Sequence, residues 1–377
     1  MKSQPTPQLR PAVDALPAYV AGRRATSALT EPLASNESHF LPLPAVLSAI
    51  AGAAVRVNRY PDMASLNLRE RLAAQFEVDP AEIAVGPGSV GVLAQLIAAL
   101  CDVGDEVIFA WRSFEAYPIL CQIAGAEAVK VPLTADERHD LAAMAAAVTK
   151  RTKVILLCSP NNPTGTGIST AELEDFLAAV PERVLVVLDE AYREFAADGG
   201  PDSLKLYRQH PNLCLLRTFS KAYGLAGLRV GYAVARPEIA EGLRRTQIPF
   251  SVSSVAEAAA VAALDSAQDV AKRAAEVIGE RERVINAARE LGWTVPDGAA
   301  NFFWLRLDEE RRTQLVEAFS SAEILVRGYA GDGVRITVAS PETNNRVLAV
   351  LADQAGLAKP AEVSEPVDAT GQVDGTE

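Results

Sequence analysis

The chain has 377 residues, 49% of them hydrophobic, so it can bury a substantial core and is long enough for one large domain and a smaller one. A formal net charge of −12 argues against nucleic-acid partners, which need a basic face. No apolar run approaches the roughly 20 residues of a membrane span, and the start, MKSQPTPQLRP, lacks an apolar signal core, so a cytoplasmic protein without a membrane partner is expected.

After a Pro-rich arm, short apolar runs bounded by turn residues alternate with helix-like segments. EIAV precedes SVGVLAQLIAAL, EVIFA precedes AYPILCQIAG, KVILLC precedes TAELEDFLAAV, and RVLVVLD and NLCLLRT follow. This order predicts an α/β fold with a mostly parallel sheet flanked by helices. From about Ser253 the pattern changes to Ala-rich helices and then to FFWLRL, EILVR and GVRITVA, which predicts a smaller α+β domain. The expected organisation is an arm over 1–44 that also joins the small domain, a large domain over 45–252, a small domain over 253–357 and a disordered acidic tail over 358–377. Cys101, Cys121, Cys158 and Cys214 lie in apolar contexts without CxxC spacing and read as reduced core thiols. His39, His139 and His210 have no partner at ligand spacing; they read as surface or capping residues, and no metal site is expected.

The chemistry concentrates in RTFSKAYGLAGLRVG, residues 217–231. NLCLLRT ends as a strand, so Ser220 and Lys221 open the loop on the ligand-binding edge of a parallel sheet. An amine there is placed to form a Schiff base with a carbonyl, with Ser220 and Arg229 available for an anion and the glycines permitting close backbone approach. Pyridoxal phosphate supplies both an aldehyde and a phosphate. A single loop lysine is ordinarily just solvated, and other segments have to support the reading. In CSPNNPTG, Asn162 can offer an amide to a phenolate oxygen, although the segment also reads as a plain turn. In LDEAY, Asp189 sits at a strand's carboxyl end, where a carboxylate holds a pyridine nitrogen protonated, or alternatively caps a helix, with Tyr192 three residues on.

Gly86, Gly88 and Gly91 spell GxGxxG between a strand and a helix, a dinucleotide fingerprint if taken literally. That reading leaves the Asn, Asp, Lys and Arg segments on the later loops without a role. A Gly-Ser turn at a helix N-terminus serves equally well to cradle one phosphate.

Taken in order, NRYPD, GPGS, SPNNPTG, VVLDEAY, RTFSKAYGLAGLRVGY and VRITVA resemble the histidinol-phosphate aminotransferase group of fold-type-I pyridoxal-phosphate enzymes, over about Pro32 to Ala355. SNES, GSVG and WRSFEAYP are more similar to the aromatic amino acid (phenylalanine) aminotransferases of actinobacteria. The resemblance implies pyridoxal 5′-phosphate as cofactor, Lys221 as Schiff-base lysine and proton shuttle, and Asp189 at the pyridinium nitrogen. It places Asn162 and Tyr192 at the phenolate oxygen, and Gly88, Ser89, Val90, Ser220 and Arg229 around the phosphate. Tyr60 joins that cradle from the other subunit of a homodimer, and Phe114 stacks on the cofactor. Arg335 matches the arginine for the substrate carboxylate, Arg327 a second anion-binding arginine, and Asn36 lies in a segment that closes over the substrate. For both arginines the competing reading is a surface ion pair. The implied reaction moves an amino group from an aromatic amino acid to a 2-oxo acid such as 2-oxoglutarate. Histidinol-phosphate transamination is the alternative; a decarboxylase or lyase, or a non-catalytic regulator, remains open on the same scaffold. Val90 and Gly91, with Trp111 and Phe114 as an apolar wall, favour the aromatic substrate.

Overall fold

The computed structural model describes residues 8–16, 30–196 and 200–358. Its strands are β1 (Glu31–Pro32), β2 (Ile83–Gly86), β3 (Glu106–Trp111), β4 (Glu127–Pro132), β5 (Thr152–Cys158), β6 (Leu185–Asp189), β7 (Leu213–Thr218), β8 (Gly231–Val234), β9 (Phe302–Arg306), β10 (Ile324–Leu325), β11 (Arg327–Tyr329) and β12 (Gly333–Thr337). Seven of them form one sheet in the order β2-β8-β7-β6-β5-β3-β4, in which β8 alone runs against its neighbours. The mostly parallel α/β architecture expected from the sequence is therefore present.

The central strands read as unbroken apolar runs because both faces of the sheet are covered. Ile155, Leu157, Val186, Leu188, Leu213 and Leu215 pack into the core on one face. Their alternating neighbours Val154, Leu156, Val187, Cys214 and Leu216 pack into the core on the other. The helix Ser254–Asp265 lies beyond the expected boundary at residue 252, yet it contributes Ala256, Ala259, Ala260 and Ala263 to the large lobe's core.

A second core, with Phe302, Phe303, Leu305, Val334 and Ile336, belongs to the antiparallel sheet β11-β12-β9 and the helices around it. EILVR does not form the single strand expected. It divides into β10, which pairs in parallel with β1 of the N-terminal arm, and β11, which pairs with β12. Residues 1–7 and 17–29 of the arm, and the acidic tail beyond Ala358, lie outside the described residues. Cys121, Cys158 and Cys214 are buried free thiols and Cys101 is half-buried. His139 departs from expectation: it is buried, neither ring nitrogen has a hydrogen-bond partner, and burial lowers its pKa to about 4. No helix among the described residues is long and apolar enough to cross a membrane, and none of their His, Cys, Asp and Glu side chains cluster as a metal site.

Behind the site-bearing ends of β6 and β7, Glu190 accepts from Arg217 Nε and Arg193 Nη1, each at 2.8 Å, with the Glu190 side chain fully buried. Removing one member of such a group leaves the others charged in a low-dielectric interior. Glu190→Ala is therefore expected to cost roughly 3–5 kcal/mol, read as a lower urea midpoint at unchanged slope. A loss under about 1 kcal/mol would show that solvent reaches Arg217 after all.

Candidate active site

The parallel strands present their carboxyl ends to one edge of the sheet, and the segments that follow them line a cavity of about 310 Å³. Lys221 arrives three residues after β7, and its Nζ donates to the Ser35 carbonyl oxygen at 2.9 Å. Burial, with the positive charges of Arg335 and Arg229 and against Glu37, lowers its pKa to about 7. An ordinary lysine would be fully protonated at neutral pH, and this one is divided between ammonium and free amine.

Asp189 closes β6 and is not a helix cap. Its carboxylate accepts from Tyr117 Oη at 2.7 Å and from the Ala191 amide at 3.2 Å. Neither partner carries a charge, and burial holds the carboxyl up at about 6. Asn162, past the end of β5, accepts through Oδ1 from Arg335 Nη1, which leaves its amide NH2 as a donor. Tyr192 Oη accepts from Asn36 Nδ2 at 2.9 Å and keeps its own proton to donate; burial raises its pKa.

At the opposite end, Ser89 and Val90 stand in the first turn of the helix Gly88–Leu100, whose leading amides have no partners within the helix. Two glycines make this turn compact. A Cβ on Gly88, at φ +77°, would lie 2.4 Å from Arg229 Nη2, and one on Gly231 would lie 2.4 Å from the Ser89 amide nitrogen. Arg229 Nη1 donates to Ser220 Oγ at 3.3 Å, so a guanidinium, a hydroxyl and a helix N-terminus converge.

The two arginines come from the small lobe. Arg335 on β12 is buried and donates to Asn162 Oδ1 and the Ala34 carbonyl oxygen. Arg327 on β11 donates through Nη2 to Glu115 Oε2 at 2.7 Å. Tyr329 has both guanidinium carbons over its ring, at 5.5 Å for Arg327 and 5.7 Å for Arg335.

Asn36, Ser89, Val90, Phe114, Asn162, Asp189, Tyr192, Ser220, Lys221, Arg229, Arg327 and Arg335 thus line one cavity, with Gly88 directly behind its turn. Tyr60 stands apart, 82% exposed, with its ring stacked on Phe250 at 4.6 Å. Trp111 does not form the expected pocket wall: Arg112 and Lys130 sit over its ring at 4.4 and 4.5 Å, and it is not among the cavity's lining residues. Sequence reasoning missed Glu115, Tyr117, Tyr329 and the Ser35 carbonyl. Of these, Tyr117 had a usable signal in its place three residues after Phe114 in WRSFEAYP, whose ring it meets edge-on at 5.5 Å.

The chain belongs to the aminotransferase class I and II family, whose model matches residues 31–351. Within that class its similarities are specific. An aromatic amino acid aminotransferase of Streptomyces coelicolor is 51% identical over 351 residues, covering 92% of this chain and 98% of that protein. One from Thermobifida fusca is 50% identical over 353 residues, covering 93% and 98%. Among solved structures, the histidinol-phosphate aminotransferase from Sinorhizobium meliloti in complex with pyridoxal-5′-phosphate matches with a TM-score of 0.85 at 29% identity, over 93% of this chain and 98% of that one.

The lowered pKa of Lys221 is directly measurable. Capture of added pyridoxal phosphate by the cofactor-free protein, quenched with borohydride and followed on the Lys221 peptide, is expected to rise with pH to half its plateau near 7. Arg335→Gln removes a positive charge that disfavours the ammonium and moves the midpoint upward. A wild-type midpoint near the ordinary lysine value of about 10 would contradict the burial of this amine.

Proposed function

We propose that the protein transfers the amino group of an aromatic amino acid, phenylalanine, tyrosine or tryptophan, to 2-oxoglutarate, with pyridoxal 5′-phosphate held at Lys221. The observation that carries this reading is a lysine amine near neutrality and a buried carboxylate in one cavity, beside the guanidinium of Arg335 and an aromatic wall.

The residues fit the cofactor. Asp189 is a buried carboxylate with two uncharged donors, and a protonated ring nitrogen is the cation that would relieve it. The turn at Gly88, Ser89 and Val90, with Ser220 and Arg229, is a donor set suited to a phosphate. The amide NH2 of Asn162 and the hydroxyl of Tyr192 are donors suited to a phenolate oxygen. Phe114 presents an aromatic ring to the cavity. When bound, pyridoxal phosphate supplies an aldehyde and a ring that accepts the electron pair of the bond broken at the substrate's α-carbon.

The chain's own residues do the rest. Arg335 takes the substrate carboxylate and fixes the α-carbon relative to Lys221. The Lys221 amine, partly unprotonated at neutral pH, removes the α-proton and returns it. Asp189 keeps a proton on the ring nitrogen through its negative charge, a stabilisation that acts where charge develops. Asn36, a buried residue of the N-terminal arm joined to Tyr192, helps to exclude water. Amino donor and acceptor use the same site in turn, so steady-state kinetics follow a ping-pong pattern.

The same reading includes a homodimer in which Tyr60 of the partner subunit completes the phosphate cradle. Supporting it, Tyr60 lies outside its own chain's cavity among exposed Val55, Val57, Met63, Ile248 and Phe250, an apolar surface of the kind that marks protein contacts. Tyr60→Phe is expected to weaken cofactor retention. Mixed with Lys221→Ala chains under subunit exchange, it should regain wild-type affinity at one site per hybrid dimer, because a shared site puts both lesions together and leaves the other intact. Hybrids without any wild-type-affinity site would place Tyr60 within its own subunit's site.

Histidinol-phosphate transamination is the second reading, favoured by the second arginine and by the structural likeness to the Sinorhizobium meliloti enzyme. Burying a phenyl group against Phe114, Val90 and Tyr329 is worth on the order of 2 kcal/mol, about thirtyfold in relative specificity. Purified protein with 2-oxoglutarate should therefore show a higher kcat/KM for phenylalanine than for histidinol phosphate, and Lys221→Ala should abolish turnover of both. A tenfold preference for histidinol phosphate would reverse the substrate assignment and leave the role of Lys221 standing.

A further inference from the structure

We propose that Glu115 is a specificity-determining residue: its carboxylate occupies the second anion position of the cavity and biases the enzyme against ligands that carry a charged group at their distal end. The inference rests on the aminotransferase reading above and goes beyond it by assigning a residue that the sequence did not single out.

Arg327 and Arg335 are direct partners across the antiparallel pair of β11 and β12, so their side chains leave the same face about 5 Å apart. Like charges in that arrangement repel, and both side chains are largely withdrawn from water. The two are compensated differently. Arg335 donates to an amide oxygen and a main-chain carbonyl, neither of which carries charge, so its positive charge remains available to a carboxylate. Arg327 donates to the Glu115 carboxylate at 2.7 Å.

Glu115 precedes the helix Ala116–Ala124 with helical backbone angles, φ −61° and ψ −18°, and makes no capping hydrogen bond, so the local main chain does not hold its carboxylate. It reaches instead to a residue 212 positions away. A strut between the lobes is the competing explanation. That task is already performed by Arg112–Asp332 and Arg306–Glu137, which connect the same lobes through side chains outside this cavity. Glu115 and Arg327 both line the cavity, beside Tyr329 and Arg335.

A ligand with one carboxylate on Arg335 and a second anion directed to Arg327 has to share that guanidinium with Glu115 or displace it. A phenyl group meets a compensated ion pair and the face of Tyr329, and pays no such penalty. The acceptor 2-oxoglutarate meets it too, so the same carboxylate that favours aromatic donors weakens binding of a dicarboxylate acceptor.

The test uses the cofactor-loaded enzyme and two unreactive ligands, glutarate and 3-phenylpropionate, titrated by calorimetry into wild type and Glu115→Gln. Glutamine keeps the length of the side chain and an acceptor for Arg327, so the fold is retained. The ratio of the glutarate Kd to the 3-phenylpropionate Kd is expected to fall by about tenfold or more, because a like charge beside a partly desolvated anion site opposes binding. The kcat/KM ratio of histidinol phosphate to phenylalanine is expected to rise in parallel. In an Arg327→Gln background the effect of Glu115→Gln should vanish. A ratio unchanged within about twofold, or a gain that persists without Arg327, overturns the proposal, as does a change confined to thermal stability. If wild type fails to transaminate phenylalanine, the functional reading falls, while the calorimetric ratio still reports on Glu115.

Discussion

Keeping Asp189 and Lys221 from neutralising each other is the constraint on which the site depends. An ion pair between them would raise the lysine pKa and lower that of the aspartate, removing both as chemical groups. The fold prevents this by giving each an uncharged partner of its own: Tyr117 Oη and the Ala191 amide for the carboxylate, the Ser35 carbonyl for the amine. Burial then pushes both toward the neutral form, the lysine down to about 7 and the aspartate up to about 6. Adjacent parallel strands make the separation possible. Asp189 lies at the end of β6 in register with Leu216 of β7, and the chain runs on past Thr218 before Lys221 enters the cavity.

The same cavity needs positive charge, and that comes from the other lobe. Arg335 reaches across to Asn162 and Ala34, so one guanidinium ties the small lobe to the large sheet and to the N-terminal arm. Asn36 repeats the pattern: its amide donates to Thr337 Oγ1, its side chain donates to Tyr192, and its carbonyl accepts from Asn301. These bonds are buried, so each unpaired group would be costly, and the ligand-facing geometry is fixed by the same contacts that hold the lobes together.

The sequence made the chemistry of the large sheet legible because strands covered on both faces leave continuous apolar runs, and catalytic side chains follow where those runs stop. KVILLC, RVLVVLD and NLCLLRT mark β5, β6 and β7 almost to the residue. β4 escaped because it is an edge strand, mostly exposed, without a continuous run or a clean alternation. β8, four residues long like β2, follows the lysine loop directly and starts inside RTFSKAYGLAGLRVGY, so it does not stand out as an element of its own. EILVR was read as one strand because its apolar pattern is unbroken; its two halves pair with different partners, which only the tertiary fold decides. Glu115 is invisible for a related reason, since its importance comes from a bond to Arg327, 212 positions away. His139 carries no local signal for the burial that the fold imposes on it.

Backbone likeness alone does not choose a substrate here. A histidinol-phosphate aminotransferase shares the fold at a TM-score of 0.85, while the relatives near 51% identity carry a different substrate in their name. The groups proposed to bind the cofactor follow the large sheet's strand ends, which the shared architecture holds in place. Discrimination between a ring and a second anion falls to side chains at the seam between lobes, where Phe114 and Glu115 meet Arg327 and Tyr329. A change of one charge at that seam alters which ligand is stabilised without touching Asp189 or Lys221. Substrate preference on this scaffold is therefore separable from the proton chemistry, and the residues that set it are those whose partners lie on the other lobe.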